Sequence, residues 1–262
     1  MSVPGFLLRL IVGLAFALVL GPILTVVVLS FSAGDYLAVP PPGLSLRWFE
    51  RFFATSSMRG ALALSLILAL AAATTATLFG LLGAYATVRR RGVRSDALQA
   101  LFMAPLVFPT IILGLALLLY FRSLGVPILL GLYLAHVVVC LPYCFRACLT
   151  SLTAFDLSLE EAGQSLGASP LRTFFEVTLP IVWPGVVSGF LFAFVVSIGE
   201  LNTSLFLTGP GVTTLPIEIF SYLQFEGSQL VVAAASTVQV LVIVLAILVM
   251  ERLVGIARVV QR

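Results

Sequence analysis

Six runs of predominantly apolar residues dominate this chain. A helix needs about 20 such residues to traverse roughly 30 Å of hydrocarbon. The runs predict spans over Leu10–Phe31, Ala61–Val88, Ala97–Phe121, Val126–Leu149, Ile181–Leu207 and Leu230–Met250. Lipid cannot satisfy exposed backbone N–H and C=O groups, so segments of this kind are expected to be helical. The expectation is an all-α integral membrane protein, residues 1–262 forming a single six-helix domain. Composition excludes the other classes. Of 262 residues, 61% are hydrophobic and 10% charged, whereas a soluble domain carries about 25% charged residues. A soluble enzyme, a disordered chain and a disulfide-stapled secreted module are ruled out. The first run is longer than the apolar core of a cleaved signal peptide, and no small-x-small site follows it. It reads as a retained helix.

All 14 basic residues are arginine, and the formal charge is +3. The arginines sit mostly at the ends of apolar runs, where they set orientation, so nucleic-acid binding is not supported. With the amino terminus inside, the cytoplasmic side holds Arg9, Arg89, Arg90, Arg91, Arg94, Arg146, Arg172, Arg252, Arg258 and Arg262. The outer side holds Arg47, Arg51, Arg59 and Arg122. Both termini are therefore expected in the cytoplasm. The outer connection from Ser32 to Gly60 carries Pro40-Pro41-Pro42, which favours an extended conformation. An amphipathic stretch follows, with Leu46, Trp48, Phe49, Phe52 and Phe53 beside Arg47, Glu50 and Arg51, suited to a membrane interface.

The connection from Thr150 to Pro180 is the most specific part of the sequence. From Phe155 it reads FDLSLEEAGQSLGASPLRTFFEVTLP. Ser158 and Glu161 have the spacing of a capping box, and acidic residues suit the positive end of a helix. Gly167 is placed to end the helix in a left-handed conformation. Ser169-Pro170 restarts the chain as an N-cap followed by proline at the first helical position. Pro180 is expected to end the second helix, since the residue before proline avoids helical geometry. The whole reads as a helix–turn–helix unit lying outside the bilayer.

This segment resembles the signature loop of permease subunits of bacterial ATP-binding-cassette importers, E-A-A-x3-G-x9-I-x-L-P. Here it reads Glu161-Ala162-Gly163, three residues, Gly167, nine residues, then Val177-Thr178-Leu179-Pro180. Gly163 stands for the second alanine and Val177 for the isoleucine. LAHVVVCLPYCFRA and SLFLTGPGVTTLPIEIFSYL extend the resemblance to the polyamine-type branch, specifically to second permease subunits of spermidine/putrescine importers. The resemblance implies a type I importer permease fold in the bacterial inner membrane. It implies a coupling helix whose contact with an ATPase is made by Glu160, Glu161, Ala162, Gly163, Gly167, Ala168 and Ser169. The implied partners are an ATP-binding-cassette ATPase dimer, a second and different permease subunit, and a periplasmic or lipid-anchored substrate-binding protein. A polyamine is the first substrate expected; related branches carry iron(III), thiamine or aminophosphonates. The chain has no G-x-x-x-x-G-K-[ST] loop, so ATP and Mg²⁺ belong to the partner and no cofactor is expected here.

Ionisable residues inside a span mark functional sites. Glu200 is the clearest, with Ser197, Asn202, Thr203 and Ser204 close in sequence. A carboxylate there suits a cationic substrate; the alternative is a helix-end glutamate bonded to neighbouring spans. Polyamine permeases often carry paired acids where this chain has Gly199-Glu200, which leaves the substrate open. Pro105, Pro109 and Gly114 bend the third span, as in helices that line a pathway. Thr74, Thr75, Thr77, Gly80 and Gly83 suit close helix packing. His136, Cys140, Cys144 and Cys148 recur every four residues, but a step of four overshoots a helical turn by about 40°, so they cannot share one metal. His136 either lines the pathway or bonds within the bundle. No catalytic residue and no metal site is expected. A membrane-embedded enzyme lacks a convergent polar set, and a secondary transporter leaves the cytoplasmic loop unexplained.

Overall fold

The computed structural model describes residues 3–90, 92–225 and 228–260, with side chains for 7–252 apart from those gaps. Arg91 and Arg262, counted for orientation, lie outside the described residues, as does the side chain of Arg258. Among the described residues twelve α-helices run in the order α1 Val3–Ser30, α2 Arg47–Ala54, α3 Ser56–Val88, α4 Val93–Met103, α5 Thr110–Ser123 and α6 Ile128–Thr153, then α7 Ser158–Ser165, α8 Pro170–Thr173, α9 Leu179–Ile198, α10 Ser204–Leu207, α11 Leu215–Phe225 and α12 Gln229–Val260. A tight 3₁₀ turn at Ala104–Val107 and a wide π turn at Phe174–Thr178 join neighbouring helices. Among the described residues five helices are long and apolar enough to cross a membrane, and a bent pair makes six.

Contacts divide the chain into two compact units. The first comprises Met1–Ala61 with Glu218–Val242. In it α1 is exposed along nearly all of its described length, and its buried residues, Leu29 and Ser30, lie at its end. The loop after α1 is tied down by backbone bonds from Ala33 to Gly43 and from Ser45 to Phe31. Its arginine is held three ways: Arg47 pairs with Asp35 at 2.8 Å, donates to the Gly34 carbonyl and lies over the Trp48 ring. Trp48 Nε1–H donates to the Ser32 carbonyl at 2.8 Å. The aromatic face expected to lie in the interface is partly turned inward. Trp48 and Phe52, one helical turn apart, are buried, while Phe53 stays exposed.

The second unit comprises Leu62–Ile217 with Ile243–Arg262 and is built on α6 and α9. Small residues bring these helices close. A Cβ on Gly189 would lie 3.2 Å from the Cys144 Cα. Side chains of α6 then donate to carbonyls of α9: Cys140 to Ala193 at 3.2 Å, Cys144 to Gly189 at 3.3 Å and Ser151 to Val182 at 3.4 Å. The cysteine stripe is thus a helix-packing seam. Helix α3 joins the seam through Thr77 to Cys144 and Thr75 to Tyr133, and Gly80 lets its backbone pass over Cys144 and Phe145. One apolar cluster, with Leu81, Phe145, Leu152, Phe155 and Val182, fills this end of the unit.

Two spans differ from expectation. The third is not one bent helix over Ala97–Phe121: α4 and α5 meet at 102°. Phe108 is forced into extended geometry ahead of Pro109, and Pro109 itself caps α5 with ψ 130°. The fifth does not run unbroken to Leu207. Helix α9 stops at Ile198, residues 199–203 are irregular, and α10 begins at Ser204.

Candidate functional site

The loop between α6 and α9 folds as a small, closed motif. Asp156, not Ser158, caps its first helix: Asp156 Oδ1 accepts the Ser158 amide at 3.0 Å, and Leu157 occupies the N-cap position. That bond lowers the Asp156 carboxyl from its ordinary value. Its contribution is therefore present above the usual carboxylate range and lost as pH falls through the lowered value. The expected capping box does not form, because Ser158 is already helical. At the other end Gly167 takes φ +90°. Its amide donates to Gln164 and the Ala168 amide to Gly163, the paired bonds of a left-handed helix stop. Ser169 Oγ accepts the Arg172 amide at 3.3 Å and Pro170 follows at the first position, as expected.

Pro180 does not end a helix. Residues 170–198 form one continuous helical rod, with the π turn at Phe174–Thr178 just ahead of the proline. A π turn shifts the backbone bonding pattern by one residue, which accommodates the N–H that Pro180 lacks. Leu179 keeps helical angles, φ −58° and ψ −45°.

Glu160 anchors this motif to the bundle. Its carboxylate is buried, pairs with Arg89 just beyond α3, and accepts the hydroxyl of Thr178 in the π turn. Arg89 lies over the Tyr85 ring, 3.5 Å from its centroid, and Tyr85 meets Phe174 edge-on at 4.9 Å. Of the seven loop residues singled out, Glu160 points inward. Gly163 and Ala168 are half-buried, and Glu161, Ala162, Gly167 and Ser169 are exposed. The sequence reading missed the leucines. Leu166 is 90% exposed and Leu171 is 74% exposed. They give this surface motif two displayed apolar side chains; the signal was two leucines flanking Gly167-Ala168-Ser169-Pro170.

The second site lies where the two broken spans meet. His136 on α6 is 1% exposed; its Nδ1 lies 2.7 Å from Ser197 Oγ and its Nε2 lies 2.9 Å from Ser204 Oγ. Ser204 donates to the Glu200 carbonyl at 3.0 Å. Glu200 Oε1 accepts the Thr203 amide at 2.8 Å, while Oε2 takes no hydrogen bond from the described residues. Asn202 is exposed and donates to Thr110 Oγ1 at 3.0 Å, and Thr203 Oγ1 donates to the Thr110 carbonyl at 3.3 Å. Thr110 follows Pro109, so the two breaks are stitched together. The structure thus gathers Ser197, His136, Glu200, Asn202 and Pro109 into one region. Sequence reasoning missed Thr110, whose only signal was its place after Pro109. Among the described residues no three His, Cys, Asp or Glu side chains group to hold a metal ion.

Comparison with known proteins agrees with this architecture. The profile of the family described as "Binding-protein-dependent transport system inner membrane component" matches residues 76–256. The chain is 38% identical to the putrescine transport system permease protein PotI of Escherichia coli (strain K12), over 79% of this chain and 76% of that one. It is 32% identical to the spermidine/putrescine transport system permease protein PotC of Haemophilus influenzae, over 93% and 95%. The backbone matches a bacterial ABC transporter involved in the import of alginate, with TM-score 0.73 at 16% identity over 95% of each chain. It also matches the inward-facing MetNI methionine ABC transporter, with TM-score 0.63 at 20% identity over 78% and 99%. The last two likenesses show the fold, that of an ATP-binding-cassette importer permease. The chain belongs to the inner membrane components of binding-protein-dependent transport systems.

Proposed function

We propose that this permease subunit forms half of the translocation pathway of an ATP-driven importer for a polyamine such as putrescine or spermidine. The observation that carries the reading is identity of 30% or more, over most of the chain, to putrescine and spermidine/putrescine permeases. The site chemistry supports it. Glu200 is only 9% exposed and its Oε2 takes no hydrogen bond from the described residues; it lies two positions before the exposed Asn202, at a place where the helical backbone opens. A passing ammonium group gains a charge-assisted hydrogen bond there. Ser197 and His136 are buried in the same region, and Pro109 precedes Thr110, which bonds Asn202 and Thr203.

The loop motif is the element that meets the ATPase. Glu161, Ala162, Gly167 and Ser169 offer the contact surface with Leu166 at its tip, and Gly163 and Ala168 pack beneath it. Glu160 fastens this surface to α3 and to the rod that becomes α9. ATP and Mg²⁺ are bound by an ATPase dimer; this chain hydrolyses nothing and holds no cofactor. A second, different permease subunit completes the pathway, and a periplasmic or lipid-anchored binding protein delivers the substrate. The arginine distribution supports both termini in the cytoplasm.

The test is purification of the tagged chain from its native membrane in mild detergent, followed by uptake of radiolabelled putrescine into cells carrying the recovered subunits. Recovery of an ATPase and a related permease, with uptake that depends on ATP, is the expected result. A chain recovered alone, or uptake driven by an ion gradient, overturns the reading.

A further inference from the structure

The hydrogen bonds around His136 have a fixed direction. Ser204 Oγ gives its one proton to the Glu200 carbonyl, which can only accept. Towards His136 the same oxygen must therefore accept, so Nε2 carries the imidazole proton. A neutral imidazole then accepts at Nδ1, from the Ser197 hydroxyl. The chain runs Ser197 O–H to Nδ1, Nε2–H to Ser204 Oγ, and Ser204 O–H to the Glu200 carbonyl. Ser197 is the last turn of α9 and Ser204 the first residue of α10. One buried side chain on a third helix thus grips both sides of the irregular segment 199–203. That segment carries Glu200 and Asn202.

We infer that His136 is a positioning residue for the pathway: its Nε2–H tautomer pins α10 to the end of α9 and so fixes where Glu200 and Asn202 face. The bond to Ser204 matters most, because Ser197 is already held by the α9 backbone whereas α10 is a single turn. Nearly every polar atom of the pin is out of water: His136, Ser197, Thr203 and Ser204 are each no more than 4% exposed. The substrate does not touch the imidazole; it meets what the imidazole holds in place. This inference rests on the pathway reading of Glu200 and Asn202.

The test compares His136→Leu, His136→Gln and His136→Asn in the intact transporter, with its ATPase, second permease and binding protein. Gln carries an N–H to about the place of Nε2, whereas Asn reaches only the Nδ1 side. The first readout is putrescine uptake. His136→Leu is expected to raise KM about tenfold or more with Vmax little changed, the scale of losing a buried hydrogen bond. His136→Gln recovers most of that loss and His136→Asn does not. The second readout needs no substrate. A thiol introduced by Asn202→Cys is modified with a water-soluble maleimide, and its rate shifts several-fold with His136→Leu and returns with His136→Gln.

Unchanged KM and unchanged labelling in His136→Leu overturn the inference, as does equal rescue by Gln and Asn. Where His136→Leu does not reach the membrane, the contrast between Gln and Asn decides alone. If the unmodified transporter imports no putrescine, the polyamine reading falls, and the labelling pattern by itself upholds or overturns the pin.

Discussion

Gly114 lies directly beneath Thr203: a Cβ built on the glycine would come 2.8 Å from the threonine Cα and 3.1 Å from the Phe206 ring. The contact is to backbone, so it cannot be relieved by a side-chain rotation. It lets α5 pass against the opened segment between α9 and α10. Gly114→Ala is expected to cost about 1–3 kcal/mol, the range of overpacked cores, and to lower uptake at normal membrane abundance. Thermal unfolding of the purified complex and uptake kinetics check both parts; a fully active, equally stable variant sinks the stitching of the two breaks.

Removing the Glu160 carboxylate leaves Arg89 and Thr178 without their shared partner. Breaking a fully buried pair costs about 3–5 kcal/mol, and Arg89 keeps some contact with water, so about 2 kcal/mol is expected for Glu160→Ala. The loop should then loosen first. Limited trypsin digestion reads this at Arg172, and faster cleavage there, ahead of global unfolding, is the expected result.

The two glycines of the signature loop are expected to respond in opposite directions. Gly163 is helical, and a Cβ there would meet Thr173 Cγ2 at 3.5 Å, an ordinary contact. Gly163→Ala should gain up to about 1 kcal/mol in helix propensity and keep transport. Gly167 has φ +90° with open space around it. Gly167→Ala should lose about 1–2 kcal/mol through backbone strain alone. Melting temperatures of the two variants, measured side by side, test the sign.

Cys140, Cys144 and Cys148 are each no more than 1% exposed, and two of them donate to α9 carbonyls. N-ethylmaleimide should leave all three unmodified in native membranes and label them after denaturation. Rapid labelling before denaturation would show that the seam between α6 and α9 opens.

Much of this was legible in the residues. Long apolar runs locate spans because a bilayer enforces a minimum length, and Gly167 and Ser169-Pro170 locate loop turns because their backbone demands are local. What stayed hidden was decided by alternatives of similar local merit. Asp156 and Ser158 can each cap the same helix, and chain geometry chose Asp156. Pro180 reads as a stop by local rules, yet a wide turn ending two residues earlier absorbs its missing donor. Hydropathy sums over the breaks at Pro109 and Gly199, since an opened backbone flanked by apolar residues looks the same as a helix. Only tertiary partners such as Thr110 and His136 make those openings affordable in the membrane.

The wide turn at Phe174–Thr178 contains one residue more than α-helical winding needs, and each residue of an α-helix advances about 100° around the axis. Removing that residue returns the rod to plain α winding with the Pro170 end on nearly its old bearing, whereas a residue lost from α9 beyond the turn would swing that end through more than a quarter circle. The turn is thus slack built into the rod: it can give up one residue without re-aiming the loop, and no other stretch between Pro170 and Ile198 can.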